Sequence, residues 1–187
     1  MKEKVMKKTM LGAFLMVSAG VAGSAQAVDG TINFTGTVTA DTCTVAINDQ
    51  TNPTLNLGTV NVTDLAAQGD TGPATDFTLS LSSCPSTVTA ASVMFSGDQD
   101  TGLDTAFKNE TSALDGGAGN VGVQLYDGSQ KQISPDQSVD VSSYLVANTD
   151  GTSSSAQIPF SVRMIAVGDT ATAGSLVSHA DYTINYQ

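Results

Sequence analysis

An all-β sandwich is the fold this sequence predicts, and three observations predict it. Apolar and polar residues alternate at period two along most of the chain, which puts one set on one face of a pleated strand. Clusters of Gly, Asp, Ser and Pro interrupt these runs at short intervals, as turns between strands do. Helical patterning is confined to Thr63-Asp64-Leu65-Ala66-Ala67-Gln68, enough for one short turn after a capping Thr or Asp. Thr and Val fill many of the remaining positions, and both favour pleated structure.

The chain opens on a segment of different character. Lys2, Lys4, Lys7 and Lys8 precede an apolar stretch from Met10 to Ala22, followed by Ala25-Gln26-Ala27. A basic start, a short apolar run and an Ala-x-Ala end predict a secretory signal peptide over residues 1–27. As a membrane anchor the stretch is too short, since a bilayer core needs roughly 20 apolar residues. Cleavage after Ala27 leaves 187 − 27 = 160 residues, long enough for one domain with a real core.

Within 28–187 the expected strands run in order. Ile32, Phe34 and Val38 share a face, with Gly36 between the last two. Leu55 and Leu57 form a short run before Gly58; Phe77, Leu79 and Leu81 alternate up to Cys84; Val93 and Phe95 follow. Asp98 to Gly119 reads as a long irregular connection with a few short strands. Val121, Val123 and Leu125 make a run ending at Tyr126, and Ile158, Phe160, Val162 and Met164 the longest central one. Asn148 to Ser155 is polar and rich in Gly and Ser, hence a loop. Leu176, Ala180, Tyr182, Ile184 and Tyr186 complete the set. With no linker to split the chain, Greek-key connections in a single sandwich are expected.

Charge narrows the partners. The full chain carries 18 acids against 7 Lys and Arg. The exported part keeps 17 acids against Lys108, Lys131 and Arg163, a formal charge of 3 − 17 = −14. That excess disfavours nucleic acid and anionic membranes. Charged residues are still only 13% of the chain against 40% hydrophobic, unlike a disordered acidic tail.

Catalysis and metal binding find little support. One His, His179, falls on the strand face opposite Tyr182 and Ile184, with no second His and no nucleophile setting around it. Asp98, Asp100 and Asp104 resemble the opening of a calcium loop, but Leu103 stands where Gly is required and Asn109 where Glu is. The EF-hand reading fails, which leaves only a weak surface calcium site open. Gly116-Gly117-Ala118-Gly119 lacks the strand-to-helix setting of a phosphate loop. No cofactor is implied.

Cys43 and Cys84 both lie in the exported part. In an oxidising compartment they most simply form one disulfide, the alternative being two free buried thiols. A Cys-x-x-Cys redox pair is absent.

The two ends of the mature chain carry apolar alternation where edge strands are normally blunted by charge or Pro. The start reads Asp29-Gly-Thr-Ile-Asn-Phe-Thr-Gly-Thr-Val38, with Cys43 soon after, and the end reads Ala180-Asp-Tyr-Thr-Ile-Asn-Tyr-Gln187. Both strands could pair inside one sandwich, or one could be given to a neighbour by strand addition. Together with the signal peptide, Cys84 after Phe77-Thr-Leu-Ser-Leu-Ser-Ser, Asn120-Val-Gly-Val-Gln-Leu-Tyr-Asp127, Ile158-Pro-Phe-Ser-Val-Arg163 and Gly174, 187 − 174 = 13 positions before the end, these segments resemble the type 1-like pilins of chaperone–usher fimbriae over essentially the whole chain.

The resemblance implies an incomplete immunoglobulin-like sandwich over 28–187, completed by a donor strand from a neighbouring subunit. Residues 28–40 would be the donor extension, with Ile32, Phe34, Gly36 and Val38 on the donated strand and Gly36 where the receiving groove is shallow. The strand Ile158–Met164 and the C-terminal strand would flank that groove. Gly174, Tyr182, Ile184, Tyr186 and Gln187 would form the chaperone-recognition end. The implied partners are other copies of the chain, other pilus subunits, a periplasmic chaperone and an outer-membrane usher, with no membrane insertion. The implied destination is a fimbrium reached through the periplasm. The implied function is a structural subunit of an adhesive surface fibre. A minor adaptor or tip subunit is the alternative, and a self-contained secreted Ig-like binding module a further one.

Overall fold

The computed structural model describes Thr35, Gly36 and residues 42–187. The expected signal peptide and the donor-strand positions Ile32, Phe34 and Val38 lie outside the described residues; Gly36 lies within them and is exposed.

Nine strands follow in chain order among the described residues: β1 (Thr44–Ile47), β2 (Thr75–Pro85), β3 (Ala91–Ser96), β4 (Val121–Asp127), β5 (Gln132–Ile133), β6 (Ser138–Asp140), β7 (Val146–Ala147), β8 (Ser153–Ala166) and β9 (Asp181–Tyr186). They form two antiparallel sheets. One has the order β1-β2-β8-β4-β5, with β7 also on β8; the other has the order β6-β3-β9. The single helical turn expected near Thr63 is present at Val62–Leu65, with Leu65 buried.

Period-two alternation builds the core. Phe77, Leu79 and Leu81 of β2 register against Phe160, Ile158 and Ala156 of β8, and all six are buried. From the opposite sheet, Val93 and Phe95 of β3 face them, also buried. Phe77 stacks on Phe160 at 5.6 Å between ring centroids, and Phe95 meets Phe160 edge-on at 5.2 Å, so three rings tie the sheets together.

In β2 strict alternation fails once, and usefully. Cys84 has the parity of the outward residues of β2, yet its side chain is fully buried. The register of β2 against β8 slips between Leu81 and Cys84, and Ser83 takes a left-handed φ of 54°. This bulge inserts one residue and turns Cys84 inward. There it is bonded to Cys43, just before β1, as one of the two sequence readings expected.

Three sequence expectations need correction. Ser153 to Ser155 belong to β8, not to a loop, because Ser154 and Ser155 pair with β7. Leu176 to Ala180 extend towards β9 without joining its ladder to β3, which starts at the pair Ser96 and Asp181. Leu55 and Leu57 lie in a segment that is extended in pattern but paired with nothing among the described residues.

Candidate strand-acceptor groove

A cleft of about 1280 Å³ opens between two walls. One wall is residues 52–60, where Pro53, Leu55, Leu57 and Val60 are half-buried and the residues between them mostly exposed. The other is residues 171–182, leading into β9. The floor is core: Phe77, Phe95, Phe107, Val123, Leu125 and Val162. The expectation that β8 flanks the groove is thus corrected. Val162 and Met164 lie in its floor, and the wall facing the C-terminal strand is the 52–60 segment. The physical reason is that β8 is paired on both sides, by β2 and β4, so it offers no edge.

The edges of both walls are unusual. Among the described residues, no backbone–backbone hydrogen bond involves residues 52–60, and Gly58 N donates only to the Asn56 side chain, at 2.9 Å. Among the described residues β9 is paired along one edge alone, to β3. Its side chains Tyr182, Ile184 and Tyr186 point to the core but stay half-buried, as they would where a layer of cover is missing.

Hydrogen-bond parity identifies the vacant groups. Gln187 and Ala90 exchange both bonds, each 2.9 Å. In an antiparallel ladder such pairs alternate, so Asp181, Thr183 and Asn185 bond towards β3, while the N–H and C=O of Tyr182, Ile184 and Tyr186 point the other way. The same parity continues upstream without a strand partner. Ser175 donates to Gly116 O at 2.9 Å and accepts from Ala118 N at 2.8 Å; Val177 O accepts from Glu110 N at 2.8 Å. Val177 N donates to Asn109 Oδ1 at 3.1 Å and His179 N to Glu110 Oε1 at 3.0 Å. Odd-numbered residues are therefore engaged, and the even-numbered ones from Leu176 to Tyr186 form a continuous edge without a backbone partner among the described residues, lining the cleft as far as Tyr182. A row of unpaired N–H and C=O groups of this kind is a template on which a further strand can pair.

Tyr182 lines the cleft and donates its hydroxyl to Thr51 O at 2.8 Å. The Tyr186 phenol is pushed above its usual range by burial, opposed by a hydrogen bond with the Cys43 backbone. Gly174 sits on the upper wall for a packing reason: a Cβ there would fall 2.3 Å from Ala118 N. Gln187 is exposed and held by its backbone to Thr89 and Ala90.

His179 is exposed, as its parity implies, but is not idle. Its Nδ1 pairs with the Glu110 carboxylate. That hydrogen bond, then the Glu110 charge, raise the imidazole above its ordinary value, and Asp181 and Asp98 add to the effect. Asp100 accepts from the Gly102 N–H at 2.7 Å, closing the loop on itself. Among the described residues no three His, Cys, Asp or Glu side chains converge as a metal site requires.

Sequence reasoning missed the 52–60 wall as the partner of β9, missed Glu110, and met Asn109 only as a mismatch to a calcium loop. Leu55 and Leu57 carried the signal for the first. A polar pair, Asn-Glu, inside an irregular connection carried none for the second.

Comparisons with known proteins follow the same lines. The family described as "Fimbrial protein" matches residues 32–187. The type-1 fimbrial protein C chain of Escherichia coli is 35% identical over 97% of this chain and 99% of its own length. The A chain of Escherichia coli K12 is 32% identical over all of both chains. Among solved structures, a type I fimbria protein of Burkholderia pseudomallei superposes with a TM-score of 0.55 at 29% identity, covering 84% of this chain and 97% of that one. The P pilus rod subunit PapA shares the fold, with a TM-score of 0.56 at 18% identity, covering 84% and 100%.

Proposed function

The chain belongs to the fimbrial protein family and is a structural subunit of a fimbria, and on that premise we propose that it polymerises by donor-strand exchange. The cleft between the unpaired edge of β9 and the unpaired 52–60 wall carries this reading. Residues 28–40 of one subunit enter the cleft of the next, with Ile32, Phe34 and Val38 over its apolar floor and Gly36 at its shallowest point. Each fully buried apolar side chain contributes about 1.5–3 kcal/mol, and main-chain bonds along both walls add to that. The contact is heterologous, so it repeats head to tail without closing.

Before assembly the same edge is covered by a periplasmic chaperone, with Gly174, Tyr182, Ile184, Tyr186 and the Gln187 carboxylate at its recognition end, and an outer-membrane usher exports the subunit. Residues 1–27 direct the chain to the periplasm and are removed. Fimbriae are extracellular, and no helix among the described residues is long and apolar enough to cross a membrane.

The test removes residues 28–40. The truncated subunit is expected to accept a strand but not to give one, so it should cap fibres rather than extend them. Normal fibres from the truncated chain alone would sink the donor assignment. Phe34→Asp places a charge over the apolar floor and is expected to block extension; unchanged assembly would remove Phe34 from the contact.

A further inference from the structure

Among the described residues the 171–180 wall has no strand beside it, only an isolated parallel bridge between Gly117 and Ser175, and the Asn109 side chain engages it further. Asn109 is 9% exposed and sits in the connection between β3 and β4. A carboxamide has two donor hydrogens and two acceptor lone pairs. All are used here: Nδ2 donates to Ala118 O and to Ser175 O, each at 3.0 Å, while Oδ1 accepts from Thr111 N and from Val177 N, each at 3.1 Å. The bonds to Ser175 O and Val177 N engage the two groups that one residue of an adjacent parallel strand would take with its own N–H and C=O.

We propose that Asn109 is a positioning residue for strand acceptance: it holds Ser175 to Val177 extended and in register, so that Leu176 and Ser178 present their backbone groups to the cleft. This rests on the donor-strand reading above. The placement of Asn109 is itself fixed. Two residues upstream, Phe107 is buried in the core and exchanges backbone bonds with Val123 of β4, at 2.7 and 2.9 Å. One residue downstream, Glu110 N bonds Val177 O. Residues 107–110 therefore strap the edge of one sheet to the groove wall of the other. Cutting the carboxamide removes four hydrogen bonds on three segments at once, and of the freed groups Ser175 O alone keeps a backbone partner, Ala118 N.

Asn109→Ala in the full mature chain tests this, with capture of a fluorescent synthetic peptide of residues 28–41 followed by anisotropy. Capture by the variant is expected to be about tenfold to a hundredfold slower than by wild type. Amide exchange at Ser175, Val177 and His179 should speed up while β2 and β8 stay protected. Ile165→Val, buried in a separate cluster with Ala106 and Val167, supplies a core lesion away from the wall and should leave capture unchanged. If Asn109→Ala does not fold, Asn109→Asp keeps both acceptor bonds, loses both donors and should be intermediate. Wild type that captures no peptide would overturn the donor-strand reading and this inference with it. Wild type that captures while Asn109→Ala captures equally fast would overturn the positioning role alone, as would equal slowing by Ile165→Val.

Discussion

Gly174→Ala is the sharpest probe of how the groove wall is built. Gly174 has no left-handed φ, so its requirement is contact and not backbone conformation. The added Cβ would lie 2.3 Å from Ala118 N, 2.3 Å from Gly117 C and 2.5 Å from Gly117 O. All three are backbone atoms of a loop pinned on its other side, where a Cβ on Gly117 would itself fall 2.0 Å from Thr111 O. The wall must therefore retreat, and it cannot do so while keeping the bonds of Ser175 to Gly116 and Ala118. Two hydrogen bonds at about 0.5–1.5 kcal/mol each, with about 1–3 kcal/mol of overpacking, put the cost at about 2–6 kcal/mol. Chemical denaturation of the peptide-complemented subunit measures it. Gly58→Ala is the control: its Cβ meets nothing, but its φ of 72° makes a side chain cost roughly 1–2 kcal/mol. A Gly174→Ala loss below that of Gly58→Ala would refute the tight-wall account and leave chaperone recognition as the reason for glycine there.

Three further outcomes follow from the same geometry. Replacing Cys43 and Cys84 by Ser opens a loop of sequence separation 41 that contains the 52–60 wall, and denaturation should show a loss of about 4 kcal/mol in the chain-entropy account. Phe160→Ala removes the ring that both Phe77 and Phe95 contact and should cost about 3–5 kcal/mol, read as a fall in the denaturation midpoint at constant slope. His179 has its pKa raised by the Glu110 hydrogen bond, so its contribution is full below its ordinary value near 6.5 and is lost as pH rises through the higher folded value. Melting midpoints of wild type should accordingly fall relative to Glu110→Gln across roughly pH 6 to 8; parallel curves would dismiss the pair.

The inward faces of β2 and of the first half of β8 were legible from alternation, whereas β4 and the end of β8 are buried on both faces, which alternation does not reveal. The bulge at Ser83 was not legible, since inserting one residue changes parity without changing composition. The free edge of β9 was half legible: its apolar alternation announced an edge to be covered, but not which wall faces it. That depends on β8 being paired on both sides, a property of topology. Asn109 was invisible because its four bonds reach Thr111, Ala118, Ser175 and Val177, and no periodicity links those positions.

The strap from Phe107 to Glu110 has a mechanical consequence. On the donor-strand proposal, a strand lying along β9 would be pulled lengthwise when a fibre is stretched, so its bonds would share the load in shear instead of opening one at a time. The wall that receives this pull would peel from the domain if it hung only on β3, the middle of a three-stranded sheet. On the same proposal, the bonds of Asn109, Glu110 and Phe107 would pass the force into β4, and from there into β8, the strand paired on both sides. Resistance to forced opening is a rate, set by the first connection to break. In this subunit that connection is spread over both sheets.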